Sequence, residues 1–189
     1  MFKNRNKWLS SLLLLILIAE KTMAQQHMTF EIERVRDSLS WLCLCTNSEK
    51  STAQGEHRNM EENKTVIAKW KLPYPVYQMT TGDINGDGKV EAIVGVIKST
   101  RFYPEPARRL FIFKQVNGKI RPMWMGSRMG GILCDFRFIK PYIRTLQATT
   151  DGKYVVADYV WDDFGLSFVR FLTKAVSHEE AIKHFTSDK

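Results

Sequence analysis

The chain has 189 residues, of which 44% are apolar, 12% aromatic and 25% charged. That is room for one ordinary domain with appendages, and a composition that buries a core. A large enzyme is excluded, and three cysteines are too few for a disulfide scaffold at this length. The formal charge of +8 comes from 28 basic and 20 acidic residues, and part of that excess lies at the extreme N-terminus.

Residues 1–24 have the layout of an export signal. Lys3, Arg5 and Lys7 form a positive start, Trp8 to Ala19 an apolar run, and Thr22-Met23-Ala24 puts small residues where a signal peptidase reads. Cleavage is expected after Ala24. The apolar run stops at Glu20, short of the roughly 20 residues that a membrane span needs. No cysteine adjoins the cleavage position, so no lipid anchor is expected. The expected product is secreted or periplasmic, with no stable membrane insertion after cleavage. Losing four basic residues and Glu20 leaves 24 basic against 19 acidic residues, a balance of +5. Spread along an exported chain, this reads as a solvated face and not as a nucleic-acid surface.

Between residues 28 and 45, Ile32, Val35, Leu39 and Leu42 recur at spacings of three and four, which predicts a short N-terminal helix, although Phe30 and Ile32 also fit strand alternation. Residues 46–64 contain no Val, Ile, Leu or aromatic side chain, so a mobile surface segment is expected there. It includes Asn63-Lys64-Thr65, a glycosylation acceptor pattern. The expected division is a signal peptide over 1–24, an appendage and flexible linker over 25–64, and a β domain over 65–189. Cys43 and Cys45 are too close in sequence for an easy local bridge. One of them with Cys134 is the plausible long-range pair; buried free thiols are the simpler reading, since no His or further Cys completes a metal set.

From Thr65 on, TVIAKWKL, KVEAIVGVIK, RLFIFKQ, KIRPMWM, ILCDFRFI, YIRTLQAT, KYVVADYVW and LSFVRFL read as short strands between DG, NG, GG and Pro punctuation. Asn117-Gly118 predicts a type I′ hairpin and Asp151-Gly152 a second turn. Ser177 with Glu180 three residues on predicts a capping box ahead of a helix over His178 to Phe185. GDINGDGKVEAIVGV and QATTDGKYVVADYV share an Asp-Gly-Lys turn before a strand, with Asp87 and Asp151 64 positions apart, a separation that suits repeated blade-like sheets.

The most specific signal is Asp83-Ile84-Asn85-Gly86-Asp87-Gly88-Lys89-Val90-Glu91. Oxygen side chains at positions 1, 3 and 5, a glycine at 6, a main-chain carbonyl at 7 and a carboxylate at 9 are what a hard divalent cation takes from a tight loop. Asp83, Asn85, Asp87, the Lys89 carbonyl and Glu91 are therefore the expected metal ligands. Ca²⁺ is the expected ion, because several flexible oxygens with net negative charge suit it better than Mg²⁺. An EF-hand is excluded: position 12 is Val94, not Glu, and the following segment is a strand.

MTTGDINGDGKVEAIVGV resembles the FG-GAP/VCBS repeat of integrin-type β-propellers, in which a calcium loop of the form Asp-x-Asp/Asn-x-Asp-Gly-x-x-Asp/Glu joins two strands. The resemblance spans about residues 74–98, with an echo at 147–160 whose corresponding positions, Gln147, Thr149, Asp151 and Val155, would not hold a second ion. It implies a mainly β fold of antiparallel blade-like sheets resembling a partial β-propeller, with the short N- and C-terminal helices. Seven blades of about 60 residues do not fit this chain. It also implies a calcium-stabilised module that binds a protein or glycan ligand.

Other candidates are weaker. Asp158, Asp162 and Asp163, beside Trp161 and Phe164, could line a sugar face, and they carry the alternative reading, an exported carbohydrate hydrolase or lyase. The four histidines show no metal or nucleophile pattern, and GSRMGG at 126–131 lacks the lysine of a phosphate loop. Tyr103-Pro104-Glu105-Pro106-Ala107-Arg108-Arg109 reads as an exposed loop whose aromatic and guanidinium groups offer a contact surface.

Overall fold

The computed structural model describes residues 28–48, 63–126 and 129–188; the expected signal peptide and most of the expected linker lie outside them. Among the described residues, the chain runs through β1 (Met28–Arg36), β2 (Leu39–Ser48), β3 (Asn63–Leu72), β4 (Val76–Gly82), β5 (Glu91–Thr100), β6 (Tyr103–Val116), β7 (Lys119–Met125), β8 (Ile132–Ile139), β9 (Tyr142–Ala148), β10 (Tyr154–Asp162) and β11 (Gly165–Val176), then one helix, α1 (His178–Thr186). The fold is mainly β, as expected. Neighbours in sequence pair antiparallel into three meanders, β1-β2-β3, β4-β5-β6-β7 and β8-β9-β10-β11, here called the first, second and third sheets. They do not close into a barrel. No helix among the described residues is long and apolar enough to cross a membrane.

The sheets stack face to face through apolar stripes at period two. Phe30, Leu42, Leu44 and Leu72 of the first sheet meet Val94, Val96, Phe111 and Phe113 of the second. The opposite face of the second sheet, Ile93, Leu110 and Ile112, meets Phe136, Ile143, Ala157 and Tyr159 of the third. Because β5 and β6 are covered on both sides, residues 91–96 and 109–113 are continuously buried, and 92–96 and 110–113 read as unbroken apolar runs. The outer face of the third sheet is covered by α1, whose Ala181 and Phe185 pack on Leu146 and Val156.

The N-terminal helix expected over residues 28–45 is replaced by the β1–β2 hairpin. Ile32 and Leu42 face each other across it, as do Phe30 and Leu44, so alternation places all four on the face toward the second sheet, whereas Val35 is left 54% exposed. Core burial along a period of two decided between the two patterns. β2 then pairs with β3 from Ser40↔Leu72 to Ser48↔Asn63, so the stretch assigned to an appendage completes the first sheet, and the boundary drawn at residue 65 falls inside β3.

The turns follow their residues. Asn117 (φ 51°) and Gly118 (φ 71°) take the left-handed conformations of a type I′ hairpin between β6 and β7. The Ser177 hydroxyl accepts from Glu180 N at 3.3 Å and caps α1. Pro122 lies in β7, an edge strand, where its missing N–H is tolerated. The two Asp-Gly-Lys turns are not equivalent, however. The first joins the first and second strands of its sheet, the second joins β9 and β10, the middle pair of theirs. Residues 103–109, read as a loop, form the first half of β6 and pair with β5 from Thr100 back to Val96.

Candidate functional site

The Asp83–Glu91 segment connects β4 to β5, and the pairing of Gly82 with Glu91 closes its base. Residues that stand nine apart in sequence are therefore neighbours. Ile84 is 5% exposed and belongs to the core between the second and third sheets, so the loop is pinned by an apolar side chain. Gly86 (φ 77°) and Gly88 (φ 80°) make the reversals that β-branched or bulky residues would resist.

Within the loop the polar atoms form a nested set. Asn85 Oδ1 accepts from Asp87 N at 2.9 Å, and Asp87 Oδ1 accepts from Lys89 N at 2.8 Å. Asp83 Oδ2 accepts from Gly88 N at 3.3 Å and lies 3.6 Å from the ammonium of Lys140, on the turn that follows β8. Glu91 is 1% exposed, and its Oε2 accepts from Ile84 N at 2.9 Å. Burial raises the Glu91 carboxyl above its ordinary pKa, and the negative charges of Asp87 and Asp83 push the same way, against the amides of Ile84 and Asn85. Asp83 Oδ1 is sealed from solvent with no hydrogen-bond partner. Three carboxylates thus share one loop, one of them fully enclosed and another with an orphaned oxygen. Among the described residues no three Asp, Glu, His or Cys side chains converge into a ready cation shell; in this structure the loop's own amides take up several of its oxygens.

A second sheet helps hold the loop. The ring of Phe138 on β8 lies over Gly82, and a Cβ there would stand 2.1 Å from a ring carbon. Glycine at the end of β4 is what lets the third sheet come this close.

The other candidates are placed differently. Asp158 is 0% exposed and is held by Arg144, whose Nε donates to Oδ1 at 2.8 Å, and by Arg170, whose Nε donates to Oδ2 at 3.0 Å. Arg144 also donates to the carbonyls of His184 and Ser187, and Arg137 to those of Phe185 and Thr186. Two arginines therefore satisfy carbonyls at the C-terminal end of α1, where cations are favoured. Asp162 accepts from the Ser167 hydroxyl at 2.7 Å, and Asp163 sits in the following turn with φ 38°. Four strand residues, about 13 Å, separate Asp158 from Asp162, so Asp158, already held by its two arginines, does not pair with Asp162 across a cleft.

All three cysteines are free. Cys43 and Cys45 lie on the outer face of the first sheet, and Cys134 faces α1 on the third. The second sheet stands between them, so no long-range bridge forms. Burial raises both the Cys43 and Cys45 thiols.

Compared with known proteins, the chain matches no family model, no curated protein and no solved structure. What the molecule offers chemically is read from its own geometry.

Sequence reasoning missed Arg109 as a buried group. It is 6% exposed although it sits beside the exposed Arg108. The signal was its register with Phe111 and Phe113 on the inward face of a strand, which a loop reading hides.

Proposed function

We propose that this chain is an exported, calcium-stabilised β module of the FG-GAP/VCBS kind that acts by binding a protein or glycan ligand and not by catalysis. Asp83, Asn85 and Asp87 through side chains, Lys89 through its carbonyl, and Glu91 would hold the ion. The observation that carries the reading is the sealed, unpartnered Asp83 Oδ1 in the same loop as the sealed Glu91. A buried carboxylate oxygen with no donor is costly, and a hard cation is the partner this oxygen-only set suits. The strand–loop–strand setting between β4 and β5 agrees with the resemblance. When bound, Ca²⁺ neutralises the loop's carboxylates and orders the segment. This chain's own residues anchor the loop through Ile84, close it through the Gly82–Glu91 pairing, and fix it against the third sheet through Phe138 and Lys140.

The test is thermal unfolding with 10 mM Ca²⁺ and with chelator. At a dissociation constant of roughly 0.1–1 mM, binding to the folded state alone contributes about 1.4–2.7 kcal/mol. This corresponds to a rise in midpoint of roughly 3–10 °C. Asp87→Ala abolishes the rise. An unchanged wild-type midpoint would refute the reading.

A further inference from the structure

The β5–β6 hairpin runs beyond the neighbouring strands. The β4 pairing stops at Val76↔Val96 and the β7 pairing at Phe111↔Met125, whereas β5 and β6 stay paired to Thr100↔Tyr103. This projecting ribbon carries Lys98, Arg101, Arg108 and Arg109 against one acid, Glu105. None of these five forms an ion pair among the described residues. The cations lie instead beside aromatic rings: Lys98 is 4.7 Å from the centroid of Tyr74, Arg108 4.7 Å from Tyr77, Arg109 5.8 Å from Tyr103 and Arg101 5.9 Å from Phe102. Phe102, at the tip, is 81% exposed and Tyr103 44%.

Arg109 is the informative member. It is 94% enclosed, its Nε is sealed with no acceptor, and among the described residues no carboxylate pairs with it. Removing a guanidinium from water without a counter-ion is unfavourable, and a ring at 5.8 Å offsets only a small part of that. Arg34 of β1 adds a further cation to the same row: its Nη1 donates to Val76 O at 2.6 Å, and Val76, Val96 and Arg109 are successive cross-strand partners.

We infer that this hairpin is a binding site for an acidic protein segment, whose carboxylate pairs with Arg109 while an apolar side chain packs on Phe102 and Tyr103. Exposed aromatics beside arginine are the composition of protein-interface anchors. A sugar-binding face would offer more amides and carboxylates for hydroxyl groups. Pro104 and Pro106 blunt the ribbon's edge against strand addition, so recognition runs through side chains. The inference rests on the binding-module reading above and names its partner class.

The probe is the peptide Glu-Glu-Leu-Glu-Glu-Leu-Glu-Glu, which carries six carboxylate side chains and two leucines, followed in spectra of the arginine Nε–H groups. It shifts the Arg109 signal, and R109Q lowers its affinity at least about tenfold. F102S, at an exposed position, also weakens binding with the unfolding midpoint unchanged. R109M raises the midpoint of the free protein, because it removes an unpaired buried charge. A hexauronate oligomer of equal charge binds more weakly and ignores F102S. No shift at Arg109, equal affinity in R109Q, or a preference for the uronate would overturn the inference. The calcium response is recorded on the same samples. If it is absent while the peptide effects persist, the calcium reading fails and this site stands; if it is present without any peptide effect, the site fails alone.

Discussion

Asp158→Asn removes the negative charge from between two arginines. The side chains of Arg144 and Asp158 are each 0% exposed, while that of Arg170 is 47% exposed, so the three positions differ in worth. With Asn at 158, Arg144 keeps its bonds to the carbonyls of His184 and Ser187 but loses its counter-ion in a closed site. Breaking a buried pair from one side costs about 3–5 kcal/mol, a large part of the roughly 5–15 kcal/mol that holds a domain folded. Arg170→Ala removes a half-exposed partner and costs about 1 kcal/mol or less. Replacing both Arg144 and Asp158 by apolar residues of similar size recovers part of the Asp158→Asn loss, since the pair's desolvation disappears with its attraction. Urea unfolding reads these three variants together with Arg144→Ala and wild type, and hydrogen exchange in α1 reports whether the helix loosens first. An Asp158→Asn protein within 1 kcal/mol of wild type, or an Arg170→Ala loss as large as that of Arg144→Ala, would refute the ranking by burial.

Gly82→Ala drives a methyl group into the Phe138 ring and destabilises by about 1–3 kcal/mol; Phe138→Leu in the same chain relieves it, and urea midpoints of the single and double variants show whether it does. Glu91→Gln in chelator unfolds at least as late as wild type at neutral pH, because burial disfavours the ionised carboxylate, yet it loses the calcium response. The sign extends to pH. The folded-state pKa of Glu91 is raised, so in the calcium-free protein its contribution is most favourable below the ordinary carboxyl range and is lost as pH rises through the raised value. Melting curves of wild type and Glu91→Gln in chelator from acid to neutral pH would show the gap opening in that direction. Native-state maleimide labelling marks Cys134 faster than Cys43 or Cys45, which are 3% and 1% exposed; equal rates, read by mass spectrometry, would contradict the burial.

Much of the β architecture is legible because each strand of the second and third sheets carries β-branched or aromatic residues between explicit turn signals. β7 and β8 have the bounds that their residues predict, as does the Asn117-Gly118 turn. The first sheet is less legible. Ile32, Val35, Leu39 and Leu42 satisfy helical spacing by coincidence, and only the partner across the hairpin, with the second sheet beneath, selects the extended form. The candidate cation loop is legible as a list of oxygens at fixed spacing, but its orphaned atom is not, since the sealing of Asp83 Oδ1 depends on packing that no local pattern encodes. The acids on β10 show the reverse error. Asp158 looks like a surface carboxylate in sequence and proves to be the counter-ion of Arg144, because its partners lie 14 and 12 residues away on adjacent strands.

The central claim is that one loop of this β stack holds calcium. Equilibrium dialysis against radioactive Ca²⁺ measures it without relying on stability. Wild type should take up a single ion per chain with a dissociation constant of about 0.1–1 mM, and Asp87→Ala and Glu91→Gln should take up none in that range. Uptake that is absent from wild type, or unchanged in both variants, would contradict the account.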